Sequence, residues 1–293
     1  MRTIGLALAL AIASPVFAAS DQAAPTVLVT NGFVDTADGA KIHYHEAGKG
    51  PAILFVPGWT LTADIWEAQI AHFSKTRRVV AIDPRGQGDS SKVADGLYPA
   101  ARARDIKTVI DTLKLAPVVL VGWSMGVADV IAYVDNAGTS DLAGIVLVDG
   151  IAGGDWHPTI SPLMVAWAGG MQRDRVKQTE AFVRQMYRTP QSEEYLKKVT
   201  AWSLKTPTNT AIASFIGTMT SDFRPTLSKI DRPTLIAITP GGPWDPVVEQ
   251  MHQAIAGSRL EKFEGAGHAL FVDQADKFNA VLESFLATTK AKP

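Results

Sequence analysis

A serine between two glycines is the residue of this chain best placed to act as a nucleophile. The segment Gly122-Trp123-Ser124-Met125-Gly126 follows the apolar run 118–121 and precedes a helical pattern over 127–134. Such a segment between a strand and a helix is typical of a tight turn that exposes the serine oxygen. Glycines suit the flanking positions, since side chains would clash where strand and helix nearly touch. The pattern predicts that Ser124 attacks an electrophilic carbon.

A serine hydroxyl needs a base to accept its proton at neutral pH. His268 ends the segment Gly265-Ala266-Gly267-His268, just past a predicted strand, in a loop that can reach the serine. Its position late in the chain fits the order serine, acid, histidine. His43 and His45 lie on one face of an early strand and could bind a metal. The sequence offers no third ligand there, so a solvated strand face is the preferred interpretation.

The histidine in turn needs a carboxylate that holds it in one tautomer. Asp245 is the preferred candidate, because it lies in the loop 239–246 after a predicted strand, between the serine and the histidine. Asp149, after the preceding strand, is the second candidate. An aspartate just before Pro246 also suits a helix N-cap, so Asp245 has a purely structural alternative.

A tetrahedral oxyanion needs two amide donors. The backbone N–H of Met125 is one candidate, and the N–H of Trp59 in the loop after the third strand is the other. Pro57 in that loop has no amide hydrogen to donate. Trp123 and Trp244 also adjoin the predicted catalytic loops. With Trp59 they predict an apolar pocket for short or medium acyl groups, although aromatic residues at strand ends also fill protein cores.

The elements around these residues alternate between strands and helices. Apolar runs without polar alternation, separated by amphipathic helices, predict a parallel sheet that is buried on both faces. An early hairpin precedes them, with a turn at Ala37-Asp38-Gly39. The predicted strands are 27–35, 41–46, 52–56, 79–82, 118–121, 145–148, 234–238 and 260–263.

Helical spacing dominates between the sixth and the seventh of these strands, over residues 151–222. We interpret this stretch as a helical cap, or lid, inserted in an α/β core formed by 20–150 and 223–293. Its side chains would then lie over Ser124 and determine the choice of substrate.

The composition excludes several classes of protein. Hydrophobic residues make up 46% of the chain and the net charge is −1, with no basic cluster, so a nucleic-acid partner is not expected. The chain has no cysteine, which excludes disulfides and thiolate metal sites. The short apolar N-terminus, with Val16 and Ala18 before a cleavage point, predicts a signal peptide at residues 1–19. A periplasmic or secreted protein without stable membrane association follows, with an uncleaved anchor as the alternative.

The chain resembles the α/β-hydrolase superfamily, and within it the cofactor-free haloperoxidase and esterase branch. The matching segments are Pro57-Gly58-Trp59, Asp83-Pro84-Arg85-Gly86-Gln87-Gly88-Asp89-Ser90, the serine turn, 220–224 with 230–234, the Asp245 loop and Gly267-His268. The resemblance implies an eight-stranded, mostly parallel sheet flanked by helices, with a helical cap after strand 6. It implies a triad of Ser124, Asp245 and His268, an oxyanion hole at Trp59 and Met125, and no cofactor or metal.

Two departures from the family pattern affect this site. The chain has Pro57-Gly58 where the family usually has His-Gly. Pro240 and Gly241 intervene before the acid loop, so this loop is expected to have a different shape. The 83–90 segment is expected to brace the catalytic face rather than to take part in the chemistry.

The leading functional hypothesis is a carboxylesterase-like serine hydrolase that cleaves esters or lactones of small apolar molecules. Carbon–carbon hydrolysis, or perhydrolysis with apparent haloperoxidase activity, is the alternative on the same residues. Aspartate-nucleophile relatives are disfavoured because the turn carries Ser124. A non-catalytic binding module is a remote alternative, since fold alone does not determine function.

Overall fold

The protein is described here from a computed structural model. The structure describes residues 28–153, 157–242 and 244–289. The signal peptide predicted at residues 1–19 lies outside the described residues. The signal peptide and the periplasmic or secreted location therefore stay predictions.

The described residues form one eight-stranded sheet in the order β1-β2-β4-β3-β5-β6-β7-β8. Strands β1 and β2 form an antiparallel hairpin, β2 is antiparallel to β4, and all remaining neighbours are parallel. The predicted eight-stranded, mostly parallel sheet and the early hairpin are confirmed. The strands are β1 (Thr30–Asp35), β2 (Lys41–Ala47), β3 (Ala52–Val56), β4 (Arg78–Ile82), β5 (Val118–Trp123), β6 (Leu142–Val148), β7 (Thr234–Ile238) and β8 (Arg259–Lys262).

Helices cover both faces of the sheet. Alternate residues of β3 enter different apolar clusters, with Leu54 in one and Phe55 in the other. The first cluster includes residues of α2, α3 and α8, and the second includes residues of α1 and α10. The helices are α1 (Glu67–Phe73), α2 (Pro99–Thr112), α3 (Met125–Ala137), α4 (His157–Arg173), α5 (Arg175–Gln185), α6 (Glu193–Leu204), α7 (Thr208–Met219), α8 (Asp245–Ala254), α9 (Leu270–Asp273) and α10 (Ala275–Leu286), with 3₁₀ turns at Ala63–Trp66 and Arg224–Lys229.

Some boundaries differ from the sequence prediction. Helix α2 begins at Pro99, earlier than the apolar spacing from Ile106 indicated, because proline is favoured in the first helical turn. The short helix α9 was not expected. Within the described residues, no helix combines the length and the apolar character needed to span a membrane.

Helices α4 to α7 form the insertion between β6 and β7. Two of them begin with a capping side chain: Asp174 accepts from the Lys177 N–H, and Ser192 accepts from the Tyr195 N–H. The helical cap after strand 6 is present, while the division of the chain at 151 and 222 stays an interpretation.

The carboxyl ends of four neighbouring parallel strands meet at one edge of the sheet. The register pairs Val56 with Gly122, Trp123 with Val148, and Val148 with Ala237. The loops that leave β3, β5, β6 and β7 therefore begin side by side. Open α/β sheets bind ligands at this edge.

Candidate active site

Ser124 lies at the turn between β5 and α3. Its backbone has φ 56° and ψ −118°, a conformation that non-glycine residues rarely adopt. The Ser124 N–H donates to the Val148 carbonyl at 2.8 Å, which ties the turn to β6. A Cβ on Gly126 would lie 2.7 Å from the Val56 carbonyl oxygen, so this position tolerates no side chain. Packing thus holds the serine in a strained conformation that presents its hydroxyl.

His268 lies beside the serine, with Nε2 at 2.9 Å from Ser124 Oγ. Several hydrogen bonds hold its loop, among them that of the Ala269 N–H to the Met186 carbonyl at 2.9 Å. The Trp123 indole donates to the His268 carbonyl at 2.9 Å, and the Thr239 hydroxyl donates to the Gly267 carbonyl at 2.7 Å. The Gly267 N–H donates to Asp273 at 2.7 Å. The imidazole is therefore fixed through the backbone on either side of it.

Asp149, from the loop after β6, is the carboxylate at the histidine. Its Oδ2 lies 2.7 Å from His268 Nδ1. Because an ionised carboxylate only accepts hydrogen bonds, Nδ1 carries the hydrogen and Nε2 is free to accept from the Ser124 hydroxyl. The other oxygen, Oδ1, accepts from the Thr239 N–H at 2.9 Å. Asp149 also has a positive φ of 43°, so its backbone is held in an unfavourable conformation at this position.

Asp245, the preferred acid in the sequence analysis, does not contact the histidine. Its Oδ2 accepts from the Gly241 N–H at 2.8 Å and its Oδ1 accepts from the Gly242 N–H at 3.2 Å. The carboxylate at the start of α8 therefore closes its own loop. The prediction of Asp245 as the partner of His268 is wrong for this geometry, and the second candidate, Asp149, occupies that place.

Two backbone amides belong to the segments next to the serine, those of Met125 and Trp59. Met125 is the first residue of α3, and Trp59 follows Gly58, whose backbone lies against Ser124: a Cβ on Gly58 would be 2.9 Å from the serine Cβ. Within the described ranges, neither the Met125 nor the Trp59 amide hydrogen has an acceptor. The first amides of a helix also carry partial positive charge. Both amides are free to donate to an oxygen bound beside Ser124.

A cavity of about 240 Å³ opens at these groups. Among the described residues that line it, only Asp149 and His268 can carry charge, and most of the others are apolar. Trp59 and Met125 lie on its wall, as does Trp244, whose surface is 42% exposed. The cavity is lined by Trp59, Ser124, Met125, Asp149, Gly150, Ile151, Phe182, Phe215, Thr218, Met219, Trp244 and His268.

Trp123 does not belong to this wall, contrary to the sequence prediction. It is 1% exposed and lies in the core, with its ring centroid 4.9 Å from that of Phe271. It follows Gly122 on the strand, and its indole N–H donates a hydrogen bond to the His268 carbonyl. Trp123 therefore stabilises the loop that carries His268 and does not line the cavity.

Several residues of the site were not expected from the sequence. Phe182 and Phe215 belong to the inserted helices, whose side chains were expected over Ser124, but the sequence did not indicate which of these side chains reach the site. Thr239 connects the acid to the histidine loop through its amide and its hydroxyl. Its place directly after β7 was the one available signal, because that loop was expected to carry the acid.

The arrangement can move a proton and stabilise an anion. A hydroxyl, an imidazole and a carboxylate form one hydrogen-bonded row. Two amides of the adjoining backbone, those of Trp59 and Met125, have no acceptor among the described residues. A family model described as the alpha/beta hydrolase family matches residues 53–281. The chain belongs to the α/β-hydrolase family. It lies in the cofactor-free haloperoxidase and esterase branch of that family, and it is a hydrolase.

Relatives of this α/β hydrolase match nearly the whole chain. A non-heme haloperoxidase of Rhodococcus erythropolis is 29% identical over 280 residues, which covers 87% of this chain and 98% of that protein. The bifunctional esterase/perhydrolase DCH of Acinetobacter calcoaceticus is 28% identical over 285 residues, covering 87% and 99%. The solved esterase EaEST of Exiguobacterium antarcticum has a TM-score of 0.82 and 28% identity, covering 87% of this chain and 98% of that one.

Proposed function

We propose that this α/β hydrolase cleaves carboxylic ester or lactone bonds of small, uncharged molecules through an acyl-enzyme on Ser124. The hydrogen-bonded row Ser124–His268–Asp149 carries the proposal, with contacts of 2.9 and 2.7 Å. The sequence of groups is that of a nucleophile, a general base and the residue that orients the base.

The reaction follows from these contacts. His268 Nε2 accepts the hydroxyl proton while Ser124 Oγ attacks the carbonyl carbon. The carbonyl oxygen becomes an oxyanion that accepts from the Met125 and Trp59 amides. The imidazolium, stabilised by Asp149, then protonates the leaving alcohol as the carbon–oxygen bond breaks. Water repeats these steps on the acyl-enzyme and releases the acid.

The size and the lining of the cavity favour small, apolar acyl groups. Its volume of about 240 Å³ is below the range of roughly 300–1,000 Å³ that is usual for pockets holding drug-sized ligands. Burial of a charged group there would require a partner, and the only ionisable side chains among the described lining residues belong to the proposed triad. We therefore expect acetyl and butyryl esters to be better substrates than octanoyl esters.

Hydrolysis of p-nitrophenyl acetate, butyrate and octanoate tests the proposal. The wild-type protein should turn over the two short esters faster, and Ser124→Ala should lower kcat on the order of 10⁶-fold. Activity that survives in folded Ser124→Ala would contradict a serine acyl-enzyme. Equal rates on all three esters would contradict the assignment of the cavity to the acyl group.

Perhydrolysis is a second candidate, supported by the esterase/perhydrolase among the relatives. Hydrogen peroxide would replace water, giving a proton to His268 as its oxygen attacks the acyl carbon. The carbon–Oγ bond would break, Ser124 would regain a proton, and a peracid would leave. Peracid formation from p-nitrophenyl acetate and hydrogen peroxide, compared between wild type and Ser124→Ala, tests this. Acyl-enzyme turnover to acetate alone would contradict it.

A further inference from the structure

The loop that follows β3 carries one of the two proposed oxyanion donors, and its conformation is unusual. Thr60, next to Trp59, has φ 60° and is fully buried. A β-branched residue is strained in this left-handed region, so the surrounding contacts must hold it there. The Gly58–Leu61 loop is closed by its own bond from the Leu61 N–H to the Gly58 carbonyl at 3.2 Å, and contacts from outside the loop add to it.

A single side chain, that of Gln87, makes three hydrogen bonds to the backbone of this loop. Gln87 is 1% exposed and comes from the 83–90 segment. Its Nε2 donates to the Gly58 carbonyl at 3.2 Å and to the Leu61 carbonyl at 2.9 Å. Its Oε1 accepts from the Thr60 N–H at 2.9 Å. One amide group thus binds three backbone positions of a four-residue loop.

The bond to the Gly58 carbonyl has a direct consequence for catalysis. The Gly58 C=O and the Trp59 N–H belong to the same peptide unit. In a planar trans peptide these two groups point in opposite directions. A hydrogen bond that draws the Gly58 carbonyl toward Gln87 therefore directs the Trp59 N–H away from Gln87. Trp59 is one of the residues that line the cavity.

The segment that carries Gln87 is itself held firmly. The buried carboxylate of Asp83 accepts from the Ala63 N–H at 2.7 Å and from the Asp89 N–H at 2.7 Å, and it contacts His43 Nδ1 at 2.9 Å. The hydrogen-bonding capacity of Asp83 is thereby used within the fold. These contacts fix the turn on which Gln87 lies, so its side chain acts as a rigid support.

We propose that Gln87 is a positioning residue for the oxyanion hole: it orients the Gly58–Trp59 peptide so that the Trp59 N–H faces the reacting oxygen. The inference rests on the proposed function, because it assigns the Trp59 amide to the oxyanion. It predicts that loss of Gln87 weakens binding of the transition state and leaves binding of the substrate nearly unchanged.

Gln87→Met tests this, since methionine keeps the volume and removes all three hydrogen bonds. We expect kcat for p-nitrophenyl butyrate to fall about 10- to 100-fold with KM within about threefold, less than the 10²–10³ typical for complete loss of an oxyanion donor. The inhibition constant of a trifluoromethyl ketone, which places an oxyanion at the same position, should rise by the same factor as kcat falls.

Gln69→Met is the matched control. Gln69 is equally buried and donates to the Phe271 carbonyl at 3.0 Å and to Asn279 at 3.2 Å, away from the Gly58–Leu61 loop. This variant should lower the melting temperature without the loss of kcat. If Gln87→Met does not fold, Gln87→Glu is measured in its place, with the same fall in kcat expected. Glutamate keeps an oxygen that can accept from the Thr60 N–H, but it has no N–H to donate to the Gly58 and Leu61 carbonyls.

Two outcomes would overturn the inference. One is a folded Gln87 variant whose kcat stays within about twofold of wild type, because a displaced oxyanion donor should lower kcat by more than that. The other is a loss of kcat in Gln69→Met equal to that in Gln87→Met. Ser124→Ala, measured alongside, separates this inference from the proposed function. Activity that survives in Ser124→Ala contradicts the serine mechanism, whereas full activity in Gln87→Met with none in Ser124→Ala contradicts only the role of Gln87.

Discussion

The contacts of one imidazole define the chemistry at the scale of single residues. His268 Nδ1 contacts Asp149 and Nε2 contacts Ser124, so the ring can pass a proton only between the serine and a leaving group or water. Thr239 supports both sides of this contact, since its amide donates to Asp149 and its hydroxyl donates to the Gly267 carbonyl. The acid and the histidine loop are thereby held at a fixed separation.

Thr239→Val should lower kcat about tenfold, because it removes the bond to Gly267 and loosens His268 while the amide bond to Asp149 remains. Thr239→Ser should restore most of the activity. Thr234→Val is a suitable control, since Thr234 lies at the opposite end of β7 and, among the residues that the structure describes, its hydroxyl bonds only the Arg232 carbonyl, at 3.0 Å. Steady-state kinetics on p-nitrophenyl butyrate would show the difference. Equal activities of the two valine variants would contradict the role of Thr239.

The residues of the site differ in how far the sequence could predict them. Ser124 and His268 lie together as expected, because a short motif marks the serine and the end of the last strand region marks the histidine. Asp149 and Asp245 both follow a strand and both fit the order serine, acid, histidine. The choice between them depends on bonds between distant segments, such as that of Asp149 to Thr239, which no local pattern contains.

The role of Gln87 could not be predicted from the sequence for a related reason. The resemblance to the family predicted that the 83–90 segment braces the catalytic face, which agrees with the bonds of Asp83. The sequence does not show that a glutamine in this segment contacts a loop almost thirty positions earlier in the chain, as the Gln87–Gly58 bond does. Buried side-chain amides act through geometry that only the folded chain reveals.

At the scale of elements, the inserted helices enclose the residue that carries one proposed oxyanion donor. The Trp59 ring lies 5.3 Å from Trp167 of α4, 5.2 Å from Phe182 of α5 and 5.7 Å from Phe215 of α7, between ring centroids. Its indole N–H donates to the Ala211 carbonyl of α7 at 2.6 Å. The cap therefore forms part of the cavity wall and also supports the loop that carries Trp59.

Phe215→Ala should widen the pocket and shift the preference toward longer esters. We expect the ratio of kcat/KM for p-nitrophenyl octanoate to that for the acetate to rise about tenfold, since each added methylene that fits contributes about 1–3 kcal/mol. Ile216→Ala, one residue further along α7, is the control, because Ile216 is 38% exposed and is not among the residues that line the cavity. An unchanged ratio in Phe215→Ala would show that the acyl group binds elsewhere.

At the scale of the whole molecule, a buried ion pair connects the core to the cap. Arg102 of α2 donates to both carboxylate oxygens of Asp129 on α3 at 2.9 Å, and both side chains are almost fully buried. The same guanidinium donates to the Thr218 hydroxyl of α7 at 2.8 Å, and Thr218 lines the cavity. Burial raises the pKa of Asp129, and Arg102 opposes that rise.

Arg102→Met should destabilise the fold by about 3–5 kcal/mol near neutral pH, because it leaves the Asp129 carboxyl without its partner. Loss of Arg102 raises the pKa of the Asp129 carboxyl further. The folded state then keeps a proton on Asp129 that the unfolded state releases above about pH 4. The free energy of unfolding of this variant should therefore fall as pH rises from 5 to 8. Urea unfolding at several pH values measures this dependence.

The double variant Arg102→Met/Asp129→Leu should recover much of the lost stability and lose the added pH dependence, since it buries no unpaired charge. Arg184→Met serves as a control for loss of an exposed pair on the cap, because Arg184 and Glu193 are both largely exposed. An Arg102→Met variant as stable as Arg184→Met at pH 8 would contradict a structural role for the buried pair.

The most direct test of the account compares the two aspartates as partners of His268. Asparagine at either position keeps the shape, and it tolerates the positive φ of Asp149. We predict that Asp149→Asn lowers kcat for p-nitrophenyl butyrate about 10³- to 10⁴-fold while Asp245→Asn stays within about threefold of wild type. A collapse of activity in Asp245→Asn, with Asp149→Asn close to wild type, would contradict the assignment of Asp149 to the catalytic row.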